Sequence, residues 1–442
     1  MTLDELRKTI GEGTVDTVLL VFADMQGRLQ GKRLVGTHFV EDVVEHGAEA
    51  CNYLLAVDVD MNTVSGYAMS SWETGYGDFE MKPDFSTLRP VSWTPGTAMC
   101  MADLQWHDGS PVAASPRQIL KAQLDRLAER GWSALAATEL EFIVFRDTYE
   151  QAFHKGYRDL EPGNLYNVDY SILGTSRLEP LLGRIRREMA ASDLPVENSK
   201  GECNFGQHEV NFRYADAVTA CDIHTIYKNA AKEIASLEGM SISFMAKYDE
   251  REGNSCHIHL SMRSEDDSPV FADDQRVFEA FLAGQLATLR ELTLFVAPNI
   301  NSYKRFQTGS FAPTTVAWGR DNRTCAFRVI GHGPSLRIEC RVPGGDVNPY
   351  LALAALIAGG LHGVDEQLAL EPILEGNAYT ADKPHVPATL RHARELFAGS
   401  DVARQAFGDE VVAHYLNNAD VEIAEFDAAV TDWERVRGFE RL

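Results

Sequence analysis

Five separated stretches of this chain set a carboxylate, imidazole or guanidinium close to a second polar group. They are Glu139-Leu140-Glu141, Glu202, Glu209-Val210-Asn211, His257-Ile258-His259 and Arg337-Ile338-Glu339-Cys340-Arg341. In an extended strand, residues i and i+2 point the same way. Glu139 and Glu141 therefore share a face, as do His257 and His259, and Arg337, Glu339 and Arg341. The intervening Leu140, Ile258, Ile338 and Cys340 belong to an opposite, apolar face. Gathered carboxylates repel one another and hold protons more tightly unless cations join them, and burying unpaired charge is costly. The pattern points to a polyvalent metal site flanked by arginines that hold anions.

Each piece has a plainer reading when taken alone. Glu-x-Glu occurs on exposed strand faces, and Arg-x-Glu-x-Arg reads first as a cross-strand salt-bridge ladder. Two histidines on one strand face, after the Gly253-Asn254-Ser255 turn, point more firmly to a site. Glu202 and Glu209 are seven residues apart, so one straight strand cannot present both on one face. A bend at Gly206 is expected.

The elements that must position these groups alternate between strands and helices. A short helix is expected at 3–10, a strand at 15–22, a turn at Asp24–Arg28, a second extended piece from Arg33 and a strand at 98–104. The stretch 63–96 is rich in loop residues, and Asp108-Gly109-Ser110-Pro111 forms a turn. Ser115-Pro116 starts a helix over 117–130, followed by a strand at 132–145 and a polar loop at 146–175. Helices are expected at 178–192, 224–238, 276–296 and 352–361 and through the last fifty residues, with strands at 196–212, 242–246 and 257–262. The fold class is α+β: a small N-terminal β-grasp-like domain, residues 1–105, and a large catalytic domain, residues 106–442, with a curved, mostly antiparallel sheet flanked by helices.

Composition excludes several function classes. The 442 residues include 24% charged and 45% hydrophobic residues, which suits a globular protein with a large core. A formal net charge of −24 without a basic tract disfavours nucleic acid or an anionic membrane surface as partner. No run of about 18 apolar residues suggests a membrane span. The start, MTLDELRKTI, lacks an apolar signal region. The seven scattered cysteines form no CxxC, which fits reduced thiols in a cytoplasmic protein.

In order and spacing, the motifs together resemble the glutamine synthetase family in its bacterial long-chain form, from about residue 15 to the C-terminus. The matching elements are Glu139-Leu140-Glu141; Glu202 with Gly206-Gln207-His208-Glu209; Gly253 through His257 and His259 to Ser261; Asn301-Ser302-Tyr303-Lys304-Arg305; Asn322-Arg323 with Arg328; and Arg337 to Arg341 with Asn348-Pro349-Tyr350. The resemblance implies two divalent ions per active site, one held by Glu141, Glu202 and Glu209, the other by Glu139, His257 and Glu339. Oxygen ligands with a single imidazole suit Mg²⁺ or Mn²⁺ better than zinc. It also implies ATP near His259, Ser261 and Arg337, phosphoryl charge stabilised by Arg323, Arg328 and Arg337, and glutamate bound by Gly253, Arg305 and Arg341. The implied assembly is a homododecamer of two stacked rings.

Two departures alter the implied reaction. Ammonia-using members carry a glutamate just before Ala-Pro in the flap after Lys-Arg, where it closes over ammonium and helps remove its proton. Here that place holds Phe311, before Ala312-Pro313. Their Asp-Gly-Ser-Ser motif, whose aspartate binds ammonium across a subunit boundary, has no counterpart; the region holds Asp58 and Asp60 instead. Glu252 stands where an asparagine is usual. The region of the family's adenylylated tyrosine, near Tyr379, differs too much to predict that modification. The leading expectation is an ATP-dependent ligase joining glutamate to an organic amine such as ethanolamine, a monoamine or a polyamine, with Phe311, Asp58 and Asp60 in the amine pocket. The alternatives are a true glutamine synthetase with an altered flap and a non-catalytic glutamate or nucleotide sensor.

Overall fold

A computed structural model describes all 442 residues. Six strands make the first sheet: β1 (Thr17–Ala23), β2 (Leu29–Val35), β3 (Ala48–Cys51), β4 (Asp78–Pro83), β5 (Arg89–Pro90) and β6 (Thr97–Gln105). Their order is β2-β1-β6-β4-β3, with β5 beside β6. Only β1 and β6 pair in parallel. The apolar run TVLLVFA makes β1 a buried strand, whereas LQGKRLV makes β2 a polar edge, as a charged rim strand protects a sheet.

Nine strands make the second sheet: β7 (Trp132–Phe145), β8 (Val196–Gly201), β9 (Gln207–Phe212), β10 (Ala215–Asp216), β11 (Ser241–Ser243), β12 (Cys256–Ser264), β13 (Trp318–Arg320), β14 (Phe327–Ile330) and β15 (Arg337–Cys340). The order β13-β14-β15-β12-β7-β9-β8, with β10 and β11 also on β7, is antiparallel except between β13 and β14. Helices Pro116–Ala128 and Ala217–Leu237 pack on β7, and Pro349–Asp365 packs on both helices. A continuous core of buried side chains runs through both sheets. No helix is long and apolar enough to cross a membrane.

Two polar ties join the sheets. Asn348 Nδ2 donates to the carbonyls of Asp24 and Met25, both at 3.0 Å. Arg117, buried at 3% exposure, reaches Asp84 at 2.7 Å, Asp103 at 2.5 Å and Asp222 at 3.1 Å. Tyr350 completes this group through its hydroxyl on Asp222. A buried guanidinium is tolerated because carboxylates surround it.

Several expected elements end elsewhere. The strand at 196–212 is a hairpin, β8 and β9, turned at Gly206 (φ +73°). A Cβ there would lie 2.5 Å from the Val144 carbonyl oxygen, so the predicted bend has a steric cause. The helix expected from 224 begins at Ala217, because Asp216 accepts from the Thr219 N–H and caps it. The helix expected over 276–296 breaks into Gln275–Thr288 and Thr293–Val296, an arrangement that buries Leu289, Leu292 and Val296 together. The stretch 146–175, read as loop, contains helices Tyr149–His154 and Ile172–Thr175, each capped by a hydroxyl (Thr148, Ser171). Ser115, expected to cap the helix at 116, makes no side-chain cap bond; Pro116 at the first turn suffices to start it.

Candidate active site

Strand register assembles the site. On β7, Glu139 lies opposite His257 of β12 and Asn211 of β9, and Glu141 lies opposite Glu209. On β15, Glu339 lies opposite His259 on one side and Arg328 of β14 on the other. The apolar alternates Leu140, Phe142, Ile258 and Ile338 are buried on the far face. The same two-residue period that fills the core therefore lines the opposite face with charge.

Two clusters result. In the first, the carboxylate oxygens of Glu141, Glu202 and Glu209 all lie within 4.8 Å of one another. Glu141 Oε2 accepts from the Ser255 N–H at 2.7 Å and from Gln207 Nε2 at 3.1 Å. Glu209 Oε1 accepts from Asn211 Nδ2 at 2.9 Å. Burial, followed by the charge of Glu202, pushes the Glu141 carboxyl up to about 8. Burial and then the charges of Glu139, Glu141 and Glu202 push Glu209 well above the usual carboxylate range. Glu202 rises too, burial outweighing the nearby Lys200 ammonium.

In the second cluster, ligand atoms of Glu139, His257 and Glu339 also lie within 4.8 Å of one another. His257 Nδ1 stands 3.1 Å from Glu139 and 3.5 Å from Glu339. Burial, reinforced by Arg341, lowers the His257 ring to about 4, which keeps it neutral, the form that ligates metals. Its Nε2 is buried without a partner. Burial would raise Glu139, but hydrogen bonds from His257 and His259 outweigh it and hold the group low. Glu339 is likewise held low despite burial, by His257 and Arg341.

The donor sets fit two hard divalent cations. Each offers anionic oxygens, and the second adds one neutral imidazole, a combination that suits hard divalent cations better than soft ones. The excess proton affinity of the first cluster is the electrostatic penalty that a cation would relieve.

Two adjoining cavities meet at this floor and share Glu139, Asn198 and Asn211. One, of about 600 Å³, takes His259, Ser261 and Arg337 into its lining. Arg337 Nε lies 3.2 Å from His259 Nδ1, and His259 Nε2 lies 2.9 Å from Glu139. The other, of about 590 Å³, is lined by Glu141, Glu202, Glu209, His257, Gly253, Arg323, Arg328, Arg341 and Phe311. Both have the size of small-molecule sites. Arg341 reaches Glu339 at 2.6 Å and Arg328 reaches it at 3.0 Å. At Gly253 a Cβ would stand 2.3 Å from the Ala246 carbonyl oxygen and 2.9 Å from the Arg305 side chain, so glycine is required there.

Three expected site residues sit apart from both these cavities and the two clusters. Arg305 is 2% exposed and gives its guanidinium to the carbonyls of Val342 at 2.7 Å and Arg341 at 3.0 Å. It braces the segment that carries Arg341 and does not line the cavity. Asp58 is buried and accepts from the Asn62 N–H and side-chain amide. Asp60 is exposed on the same loop. Both acids lie in the field of Glu422 on helix Asp401–Ala428, and within one chain neither lines the cavity with Phe311.

Sequence reasoning missed other contributors. Lys200 contacts Glu202 and lies 4.5 Å from the Tyr170 ring centroid. Its signal was available, since it shares a strand face with Glu202. Asp169 and Tyr170, from the stretch read only as loop, also line the second cavity.

Residues 113–437 match the glutamine synthetase catalytic domain. The chain belongs to the glutamine synthetase family. Among relatives in that family, it is 63% identical to the gamma-glutamylethanolamide synthetase of Streptomyces coelicolor, over 100% of this chain and 96% of that protein. It is 34% identical to a glutamate–isopropylamine ligase from a Pseudomonas species, over 98% of this chain and 97% of that protein. A solved structure of a GmaS/ADP complex superposes with a TM-score of 0.87 at 26% identity, covering 98% of this chain and 99% of that one.

Proposed function

We propose that this glutamine synthetase family member is an ATP-dependent ligase that joins the γ-carboxylate of glutamate to an organic amine, with ethanolamine the first candidate. The carrying observation is Phe311. It lines the second cavity at the flap position where ammonia-using members carry a glutamate, and an aromatic ring can wall an alkyl chain but cannot attract ammonium or accept its proton. The names of the two amine-ligating relatives support the same reading.

The γ-carboxylate oxygen of glutamate attacks the terminal phosphorus of ATP, giving γ-glutamyl phosphate and ADP. The neutral amine nitrogen then attacks the acyl carbon, phosphate leaves, and the nitrogen gives up one proton. Activation is needed because a carboxylate oxygen is a poor leaving group toward amines. Glu141, Glu202 and Glu209, with Glu139, His257 and Glu339, would hold two Mg²⁺ or Mn²⁺ ions that neutralise and polarise the phosphates. Arg323, Arg328 and Arg337 would face the transferred phosphoryl group. Arg341 would pair with the α-carboxylate of glutamate through its planar fork, braced from behind by Arg305. His259 and Ser261 would border the nucleotide.

The domain division at 105/106 rests on β6 ending at Gln105 and on the family match beginning at residue 113. A homododecamer of two stacked rings follows the resemblance. It accommodates Asp58 and Asp60, which would have to reach a neighbouring subunit's cavity to act. Sedimentation of an active monomer at assay concentration would rule this out.

Phosphate release with ATP and glutamate, measured across ammonium, ethanolamine, monoamines and polyamines, tests the function. A short primary amine should give the highest kcat/KM. If ammonium surpasses every amine, the chain is a glutamine synthetase with an altered flap.

A further inference from the structure

The second cavity carries an acid that the proposed reaction leaves without a task. Glu252 lines it together with Phe311, Ser310, Tyr170 and Cys203. Every other carboxylate in that lining is engaged. Glu141 accepts two hydrogen bonds and Glu209 accepts from Asn211. Glu139 pairs with both histidines. Glu202 and Asp169 share Lys200, with Asp169 at 3.6 Å. The Glu252 carboxylate makes no hydrogen bond and no ion pair; its only polar tie is a backbone one, its carbonyl accepting from Asn204 Nδ2 at 2.8 Å.

The cationic side chains nearest it in sequence place their hydrogen bonds elsewhere. Arg251 pairs with Asp249 at 3.0 Å and stacks over Phe205 at 4.0 Å. Lys247 gives its ammonium to the Arg251 carbonyl. The Glu252 carboxylate thus keeps its acceptor positions free in a cavity where it feels the Lys247 ammonium only through space, and where attraction for a cation is stronger than in bulk water. Its field is felt by the Cys203 thiol, which burial and the surrounding carboxylates push up to about 11. Phe311 adds apolar surface to the same cavity. A carboxylate that shares a cavity with an aromatic side chain suits a short primary alkylammonium: one charge-assisted contact for the head and apolar surface for the methylenes.

We infer that Glu252 is the specificity-determining acid that receives the ammonium head of the amine co-substrate, in place of the carboxylate that Phe311 displaces from the flap. The inference rests on the amine-ligase reading above. In this arrangement the protonated amine docks on Glu252 and gives one proton to its carboxylate or to solvent. The freed lone pair then attacks the acyl carbon, phosphate leaves, and the second nitrogen proton passes to the departing phosphate or to solvent.

Glutamate also carries an ammonium group, and kinetics separate the two sources. The test compares the full-length parent, Glu252→Gln and Glu252→Asp, each with Mg²⁺, ATP and glutamate. Ethanolamine serves as the cationic nucleophile and hydroxylamine as one largely uncharged at assay pH. Glu252→Gln should raise the KM for ethanolamine by roughly tenfold or more, the scale of one lost charge-assisted hydrogen bond. The KM for glutamate and the hydroxylamine reaction should change little. Glu252→Asp should recover part of the loss. Equal losses with ethanolamine and hydroxylamine, or a rise confined to the KM for glutamate, overturn the inference while leaving the ligase reading intact. A parent that turns over no amine overturns both. Gln matches the shape of Glu, and an unchanged melting temperature for Glu252→Gln shows that any kinetic loss is not unfolding.

Discussion

The Lys200 ammonium rests on the Glu202 carboxylate, within the cluster that Glu141 and Glu209 complete. A lysine there supplies one positive charge where the proposed reaction needs two. It balances the protein before a divalent ion arrives and competes with that ion afterwards. Lys200→Met should lower the melting temperature of metal-free protein and tighten Mn²⁺ binding by roughly threefold to tenfold, the range for one partly screened unit charge a few ångströms away. Calorimetric titration with Mn²⁺ and thermal unfolding in chelator check both. Weaker metal binding in Lys200→Met would show that Lys200 helps to build the site.

Neutralising an acid of that cluster should be far more damaging. Glu202→Gln or Glu209→Gln removes an anionic oxygen and should lower turnover at ordinary Mg²⁺ concentration by roughly two to three orders of magnitude, the scale of losing one preorganised electrostatic contact. Raised Mn²⁺ should restore part of it. Glutamate-dependent ADP formation is the measurement, and full activity with normal metal dependence in both variants would defeat the ligand assignment.

The raised carboxyls set a pH signature. Glu141 sits near 8 in the folded protein against an ordinary 4.5, and Glu209 is raised in the same direction. In that window the folded state binds more protons than the unfolded state, so metal-free stability falls as pH rises from about 4.5 toward 8. Saturating Mg²⁺ should flatten that slope, and metal binding near pH 7 should release protons. Melting temperatures across this range in chelator and in Mg²⁺, with binding heats in buffers of different ionisation enthalpy, test it. Metal-free stability that rises with pH would contradict it.

Phe311 is 57% exposed and has a φ of +56°, on the flap between Arg305 and Pro313. Phe311→Glu restores a carboxylate at that position and should shift the ratio of kcat/KM for ammonium over ethanolamine by roughly tenfold toward ammonium. An unchanged ratio in a folded variant would assign Phe311 to flap packing alone.

Arg341 reaches Glu339 at 2.6 Å and the Arg323 carbonyl at 3.2 Å, which fixes its guanidinium plane toward the cavity. Arg341→Lys keeps the charge but loses the fork. The KM for glutamate should rise by roughly tenfold or more while the KM for ATP changes little. Equal rises in both would place Arg341 among the phosphate-facing arginines.

Much of the site was legible in the chain because strand periodicity is local. Glu139 with Glu141, and His257 with His259, alternate with residues that must be buried, so which side chains share a face follows from the two-residue period alone. The order of the motifs carried the family, and Gly206 announced its own bend. Register between strands is not local, and only the tertiary structure decided it: that Glu139 faces His257, Glu141 faces Glu209 and Glu339 faces His259 depends on pairings more than sixty residues apart. The fate of each guanidinium was equally invisible, since a motif cannot say whether Arg305 finds a ligand or the carbonyls of Val342 and Arg341. Nor could it show that Glu252 would remain the unpaired acid of its cavity, because the absence of a partner depends on where every neighbouring cation packs.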